Sequence, residues 1–278
     1  IWAKGYLISG AKHLFKDKEM LKYFSCIKDE KDFLMKVKDG NGNFACIVDI
    51  GKEIFIAVDH IRGFPLFYFY EHGNLFVSDQ AFLLKSKVPS LEISKQMVEE
   101  YLMTGYVTGN NTIYKGIKQL KAGEYLLYNK ISRKITVKKH FAPEIPCKIT
   151  IESKDKPINE LRTILNVIFG ELLKSLDNRL VVLPLSGGYD SRLIALYLKE
   201  MDYNNVICFT YGNSKHTEVK ISREVANYLG YEWHFVPHHR KELYYKFNSS
   251  LADKYRVFAN NLSTIPHIQD WHAVAKLK

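Results

Sequence analysis

The chain is poor in the features that mark several protein classes. It has 278 residues, of which only 4 are cysteines. Cys26, Cys46, Cys147 and Cys208 match neither a zinc-knuckle nor a redox-pair spacing, which excludes a disulfide scaffold and argues for a reducing, cytoplasmic setting. Cys46 and Cys208 lie in apolar runs and are expected to be buried small hydrophobes. In that setting the sequons at Asn110, Asn248 and Asn261 carry no meaning. No apolar run approaches the ~20 residues of a membrane helix and no secretory leader is visible, so a soluble protein with no membrane partner is expected. With 16 Gly, 8 Pro, 46% hydrophobic and 25% charged residues, collagen-like and disordered chains are excluded as well. Neither a G-x4-G-K-S/T loop nor an H-E-x-x-H helix occurs. Gly40-Asn-Gly42-Asn-Phe-Ala45 nominally fits a dinucleotide fingerprint but precedes a strand rather than a helix, so it fails its context.

What the sequence does have is positive charge and a change of rhythm near its middle. Lys and Arg number 40 against 30 Asp and Glu, a net charge of +10. The lysines are scattered rather than gathered in a stripe, which favours a solvated Lys-rich surface over a nucleic-acid footprint. The first half reads as short strands at 4–9, 44–50, 53–58, 66–70, 75–78 and 124–128, with hairpin chemistry at Gly51-Lys52 and His72-Gly-Asn74. Short helices are predicted at 18–22, 30–36, 79–84 and 94–101, the last capped by Ser94. Pro143, Pro146 and Pro157 break the stretch 131–157, which reads as a connector. Beyond it, apolar residues at helical spacing from Leu161 to Leu176 are followed by strands at 180–185, 205–211 and 232–236. These alternate with helices at 192–200, 218–229 and from 240 onward. Apolar strands alternating with amphipathic helices specify parallel βαβ units. The expected organisation is an α+β domain over 1–130 built on an antiparallel β sandwich, a connector over 131–157, and an α/β doubly wound parallel-sheet domain over 158–278.

One motif carries chemistry. Leu185-Ser186-Gly187-Gly188-Tyr189-Asp190-Ser191 leaves a buried strand and opens a helix, at the carboxyl edge where open parallel sheets bind ligands. Two glycines remove Cβ atoms that would hold a phosphate away from the backbone, and the helix start aims unpaired N–H groups at an anion. Ser186 and Ser191 add hydroxyls. Asp190, the one acid beside this nest, makes sense with Mg2+ between it and the phosphates. The bland alternative is a strand-to-helix turn capped by Ser and Asp. A chance match to five specified positions in such a chain is on the order of 10⁻⁴ to 10⁻³, which favours function.

S-G-G-x-D-S after a buried strand resembles the PP-loop of ATP pyrophosphatases. The resemblance implies cleavage of ATP between the α and β phosphates, with Ser186 and Asp190 catalytic, Asp190 on the metal, and Leu185, Gly187, Gly188 and Ser191 lining the nucleotide. It also implies an adenine-binding edge at Thr210, Tyr211 and Gly212. Arg192 is favoured slightly as a phosphate contact over an exposed helix residue. Upstream, Gly42-Asn-Phe-Ala45, Ala57-Val-Asp59, Gly63-Phe-Pro-Leu-Phe-Tyr68, Leu75-Phe-Val-Ser78, Glu99-Glu-Tyr-Leu102, Gly105-Tyr-Val107, Thr112-Ile-Tyr-Lys-Gly-Ile117 and Leu120-Lys-Ala-Gly123 run in the order found in the asparagine synthetase family. The chain therefore resembles that family over most of its length: a class II glutamine amidotransferase-like, Ntn-hydrolase-like domain followed by a synthetase domain.

Two departures shape the expectation. The family's glutaminase uses a cysteine as the first residue of the mature protein. Here Trp2-Ala-Lys-Gly-Tyr6 occupies that strand and the nearest cysteine is Cys26, so a domain without glutaminase activity is expected. Nothing after Pro266 resembles the family's later glycine- and acid-rich loop, and residue 1 is Ile, so the sequence reads as part of a longer protein. The resemblance implies an ATP- and Mg2+-dependent ligase that adenylates a small-molecule, peptide or sugar carboxylate for attack by ammonia or an amine; a homodimer is compatible. Two other classes compete. One is a tRNA-modifying PP-loop enzyme, disfavoured because those lack the amidotransferase-like half; the other is a non-catalytic scaffold. His234, His238 and His239 are expected to be solvated or capping residues rather than a metal site. Whether His216 and Glu218 face substrate or simply start a helix is left open.

Overall fold

The structure, a computed structural model, describes residues 1–10, 13–88, 90–144 and 155–277. Pro146 and Cys147, and with them the middle of the expected connector, lie outside the described residues. In chain order the elements are β1 (Trp2–Ile8), β2 (Leu14–Lys16), α1 (Lys18–Ser25), α2 (Glu30–Asp39), β3 (Asn41–Asp49), β4 (Glu53–Val58), β5 (Phe67–Glu71) and β6 (Asn74–Ser78). Next come α3 (Ala81–Lys87), α4 (Lys95–Thr104), β7 (Ile117–Gln119), β8 (Glu124–Asn129), β9 (Lys134–Lys139), α5 (Asp155–Leu176), β10 (Val181–Pro184) and α6 (Tyr189–Glu200). The chain continues through β11 (Val206–Gly212), α7 (Thr217–Leu229), β12 (Glu232–Pro237), α8 (Arg240–Phe247), α9 (Ser250–Asn260) and α10 (Ile268–Lys276). They form two compact units, one of residues 1–149 with 255–266 and one of 150–254 with 267–278.

The first unit is built on two antiparallel sheets, ordered β2-β1-β3-β4-β8-β9 and β6-β5-β7. Strict alternation along the strands makes the layers, because successive side chains leave a strand on opposite faces. Phe44, Cys46 and Val48 of β3 and Phe55 and Ala57 of β4 pack with Met20 and Phe24 of α1 and Phe33 and Val37 of α2. Their neighbours Ala45, Ile56 and Val58 turn the other way, onto Leu66 and Tyr68 beside and on β5. Phe67 and Phe69 of β5 then face Ala81 and Leu84 of α3. The order is helix, sheet, sheet, helix. Each fully buried phenylalanine contributes roughly 1.5–3 kcal/mol, and Phe33 stacks on Phe55 at 4.8 Å.

The hairpin between β5 and β6 turns on His72 at φ 50° and Gly73 at φ 79°, the paired left-handed conformation that matches strand twist. After β4 the chain is pinned by Asp59. This fully buried carboxylate accepts hydrogen bonds from the amides of Phe44 (3.1 Å), Ile61 (2.9 Å) and Gly63 (2.8 Å). Ser94 caps α4 by accepting from the Met97 amide at 3.4 Å.

Two features differ from expectation. Residues 134–139, inside the stretch read as connector, form the edge strand β9 on β8. Its lysines hide the pattern, since only Ile135 and Val137 turn inward against the core, and charged side chains are usual on a sheet edge. Pro157 does not break a helix but sits in the first turn of α5, where an amide has no intrahelical partner to lose.

In the second unit β10, β11 and β12 are parallel and adjacent in that order. Leu183, Leu185 and Cys208 pack with Phe169 of α5, Ala195 and Leu198 of α6 and Ala226 and Leu229 of α7. On the other face Phe209 and Val236 pack with Ala273 of α10. No helix among the described residues is long and apolar enough to cross a membrane.

Candidate functional site

The parallel register of the second unit brings the ends of β10 and β11 together with the starts of α6 and α7. Leu185, the residue after β10, is buried, and its amide donates to Phe209 O at 2.8 Å. Ser186 follows. Its amide donates to Ser191 Oγ at 3.0 Å, its hydroxyl lies 2.9 Å from that same oxygen, and it accepts from the Gly188 amide at 3.1 Å. The two serines thus cross-link the two ends of the loop, and these two amides are held by hydroxyls rather than by main-chain carbonyls. Gly188 is the N-cap of α6, so the positive end of the helix has no side-chain cap, and Asp190 is the acid in its first turn.

Asp190 is exposed in the first turn of α6 and makes no hydrogen bond or ion pair with a described residue. Tyr189 is 85% exposed. Arg192 folds back. Its Nε donates to Gly188 O at 3.0 Å and its guanidinium lies 4.6 Å from the centre of the Tyr189 ring. Arg192 therefore braces the loop that it was expected to help bind phosphate.

The two glycines have different reasons to be there. A Cβ on Gly187 would meet Glu218 Cα at 3.1 Å and Cγ at 3.2 Å, whereas one on Gly188 would meet only Ser186 Oγ, at 3.2 Å. Gly187 thus lets the first turn of α7 approach the loop, which also places Glu218. Gly187→Ala is expected to push loop and helix apart by a few tenths of an ångström and to cost about 1–3 kcal/mol. Thermal denaturation of that variant beside Gly188→Ala, the milder change, is the check.

The edge of β11 is equally specific. Thr210 is buried, and its hydroxyl lies 2.6 Å from both Leu185 O and Ser222 Oγ while accepting from Trp233 Nε1 at 3.2 Å. Tyr211 stacks on His238 at 4.8 Å, and burial, followed by the hydrogen bond to Asp270, pushes its hydroxyl up to about 12. Gly212 sits at φ 122° with open space where a Cβ would be, a conformation that glycine alone adopts without strain. Ser222 and Trp233 were not singled out from the sequence; a serine on the inward face of α7 was the available signal.

His234 Nε2 is 2.7 Å from Glu232, and His216 is the N-cap of α7 without a side-chain cap. Among the described residues no group of three His, Cys, Asp or Glu side chains is placed to hold a metal ion. Cys46 and Cys208 are buried, as expected. Burial raises their thiols to about 12 and about 11, so neither forms a thiolate at neutral pH. Cys26 is exposed just after α1.

Residues 32–141 match the glutamine amidotransferase domain family and residues 175–263 match the asparagine synthase family. The resemblance to asparagine synthetases holds domain by domain. The loop and the edge of β11 both fall inside the second match. Microcin J25-processing protein McjC of Escherichia coli is 23% identical over 262 residues, covering 91% of this chain and 47% of that protein. A protein named as a glutamine-hydrolyzing asparagine synthetase in Methanocaldococcus jannaschii is 28% identical over 226 residues, covering 79% of this chain and 42% of its own. The chain thus spans about half the length of the curated relatives it matches. Among solved structures, glutamine phosphoribosylpyrophosphate amidotransferase from B. subtilis aligns at a TM-score of 0.32 and 10% identity, over 84% of this chain and 44% of that one.

Proposed function

We propose that this chain is the amidotransferase-like and nucleotide-binding part of an ATP-dependent amide-forming ligase, one that adenylates a substrate carboxylate and releases pyrophosphate. An ATP-dependent ligase is what the synthetase match supports; the AMP-forming course is our reading of the loop. The observation that carries it is the uncapped start of α6, reached through Ser186-Gly187-Gly188 at the carboxyl edge of a parallel sheet. Helices on both faces of that sheet support a doubly wound arrangement for the unit that β10, β11 and β12 build.

In this reading the amides at the start of α6 and the hydroxyls of Ser186 and Ser191 take the charge that develops on departing pyrophosphate, in a site organised before ligand arrives. The donor set fits magnesium as phosphate enzymes hold it, through one or two carboxylates with the rest of the shell from phosphate and water. Asp190 supplies a free carboxylate, and bound magnesium would neutralise phosphate charge. Tyr211 and Gly212 form the wall beside the nucleotide, with Leu185 and Thr210 buried behind them. The carboxylate acid is left as a class, an amino acid, a sugar uronate or a peptide. One relative is named for asparagine synthesis and another for processing microcin J25, and the two names share no single substrate. Ammonia or an amine is the nucleophile. A cytoplasmic location fits the free thiols.

The test is calorimetric titration of the chain with Mg-ATP, followed by a panel of carboxylates scored for AMP and pyrophosphate. Binding together with release of both supports the proposal. Release of ADP and phosphate overturns the adenylation, and absence of Mg-ATP binding overturns the ligase in favour of a scaffold.

A further inference from the structure

The link between Thr210 and Leu185 does more than satisfy a buried hydroxyl. The β10–β11 ladder registers Val181 to Pro184 against Val206 to Phe209 and finishes with the Leu185 amide on Phe209 O. The next acceptor along the chain, Leu185 O, is met by a side chain, the Thr210 hydroxyl at 2.6 Å. In a planar trans peptide the carbonyl and the following N–H point in opposite directions. Holding Leu185 O therefore fixes the Ser186 N–H, which lies 3.0 Å from Ser191 Oγ. Ser191 stands in turn beside Ser186 Oγ, the acceptor for the Gly188 amide. One hydroxyl on β11 thus sets the roll of the peptide from which the whole loop hangs.

The hydroxyl is itself held from two other elements. Trp233 Nε1, on β12, donates to it at 3.2 Å, and Ser222 Oγ, on α7, lies 2.6 Å from it. Ser222 is fully buried and Thr210 is 8% exposed, so neither hydroxyl is available to a ligand in solution. A carbonyl can only accept, so the single Thr210 O–H goes to Leu185 O; the Ser222 hydroxyl, which also lies 3.0 Å from Val219 O, then turns its proton to Thr210 Oγ1, and Trp233 fills the other lone pair. The same α7 packs Glu218 against Gly187, so the loop is referred to β11 and α7 together.

We infer that Thr210 is a positioning residue for the nucleotide loop, acting through the Leu185–Ser186 peptide rather than by touching the adenine. The inference rests on the reading of residues 186–191 as a pyrophosphate cradle and specifies what keeps that cradle open. Thr210→Val is nearly isosteric but removes the donor, freeing the peptide to roll. Thr210→Ser keeps the donor and loses only a methyl. Trp233→Phe removes a partner of Thr210 while leaving its bond to Leu185.

The experiment is titration of the 278-residue chain and each variant with magnesium pyrophosphate and with Mg-ATP, beside a thermal melt. Thr210→Val is expected to weaken both ligands by roughly 10- to 100-fold, since one misdirected donor in a preorganised site costs on this order. Thr210→Ser and Trp233→Phe are expected to stay within about threefold of the parent, a pattern that a role confined to core stability would not produce. Equal affinity in Thr210→Val, or equal weakening in Trp233→Phe, overturns the assignment. So does a Thr210→Val chain that no longer melts cooperatively, which would make Thr210 a core residue and nothing more. If Thr210→Val loses Mg-ATP affinity but keeps that for pyrophosphate, the hydroxyl serves the nucleoside and the inference fails. Should the parent chain bind neither ligand, the cradle reading itself falls, a result distinct from all of these.

Discussion

Asp190→Ala is expected to lower AMP and pyrophosphate formation by roughly 10²–10³-fold or more, the size of effect seen when one charge-stabilising group leaves a preorganised site, while leaving the fold intact. The two halves of that statement have separate grounds. Asp190 is exposed and bonded to no described residue, so its loss removes only a favourable charge at the start of α6, worth about 0.3–1 kcal/mol. In the proposed mechanism this carboxylate serves the metal. Ser186→Ala is the companion. It frees the Gly188 amide and leaves Ser191 to hold the loop alone, so turnover should fall with it, at a stability cost of about 0.5–1.5 kcal/mol for a typical hydrogen bond. Rates from a coupled pyrophosphate assay, read beside thermal melts, decide it: full activity in either variant removes that residue from the site.

The largest stability effect is expected in the first unit. Asp59→Ala should destabilise the first unit by about 3 kcal/mol, the upper end of the range for losing hydrogen bonds to a charged group and leaving a buried donor unpaired. The carboxylate is fully buried and receives three main-chain amides, from Phe44 on β3 and from Ile61 and Gly63 in the turn leading to β5. Alanine leaves the buried Phe44 amide without an acceptor, at a desolvation penalty, while the part-buried amides of Ile61 and Gly63 lose the acceptor that holds the turn. Asp59→Asn should fall between, because one of its two terminal groups is itself a donor and faces amides that need an acceptor. Denaturant unfolding followed by fluorescence provides the check, analysed as separate transitions because the chain has two units. A shift under about 1 kcal/mol for Asp59→Ala would mean that the turn reorganises and that the carboxylate is not what holds it.

Much of this was legible in the residues themselves. The hairpins at Gly51 and at His72-Gly73 were readable because left-handed backbone is confined to few residue types. The strands of the second unit were readable because parallel strands between helices are rich in apolar residues. Short range was the limit. β2 and β7 have three residues each, too few for alternation to register, and β9 is masked by Lys134, Lys138 and Lys139 on a sheet edge. Residues 255–266 follow the βαβ series in the chain yet join the first unit. Leu262 enters the cluster around Phe67 and Phe69, and Thr264 bridges to Tyr106, pairings across more than 150 positions that no local pattern announces.

The site divides in the same way. The sequence by itself determined that a strand ends at Leu185, that a loop with two glycines and two hydroxyls follows, and that a helix starts beyond it with an acid in its first turn, because each depends on residue type and neighbours along the chain. Tertiary structure alone decided that Gly187 makes room for Glu218 rather than for empty space, that Arg192 turns back onto Gly188, and that the Thr210 hydroxyl is spent on Leu185 O. Each of those outcomes is a contact between groups remote in sequence or a choice among rotamers, and such choices are fixed by which buried polar groups must find partners once the sheet and its helices have closed.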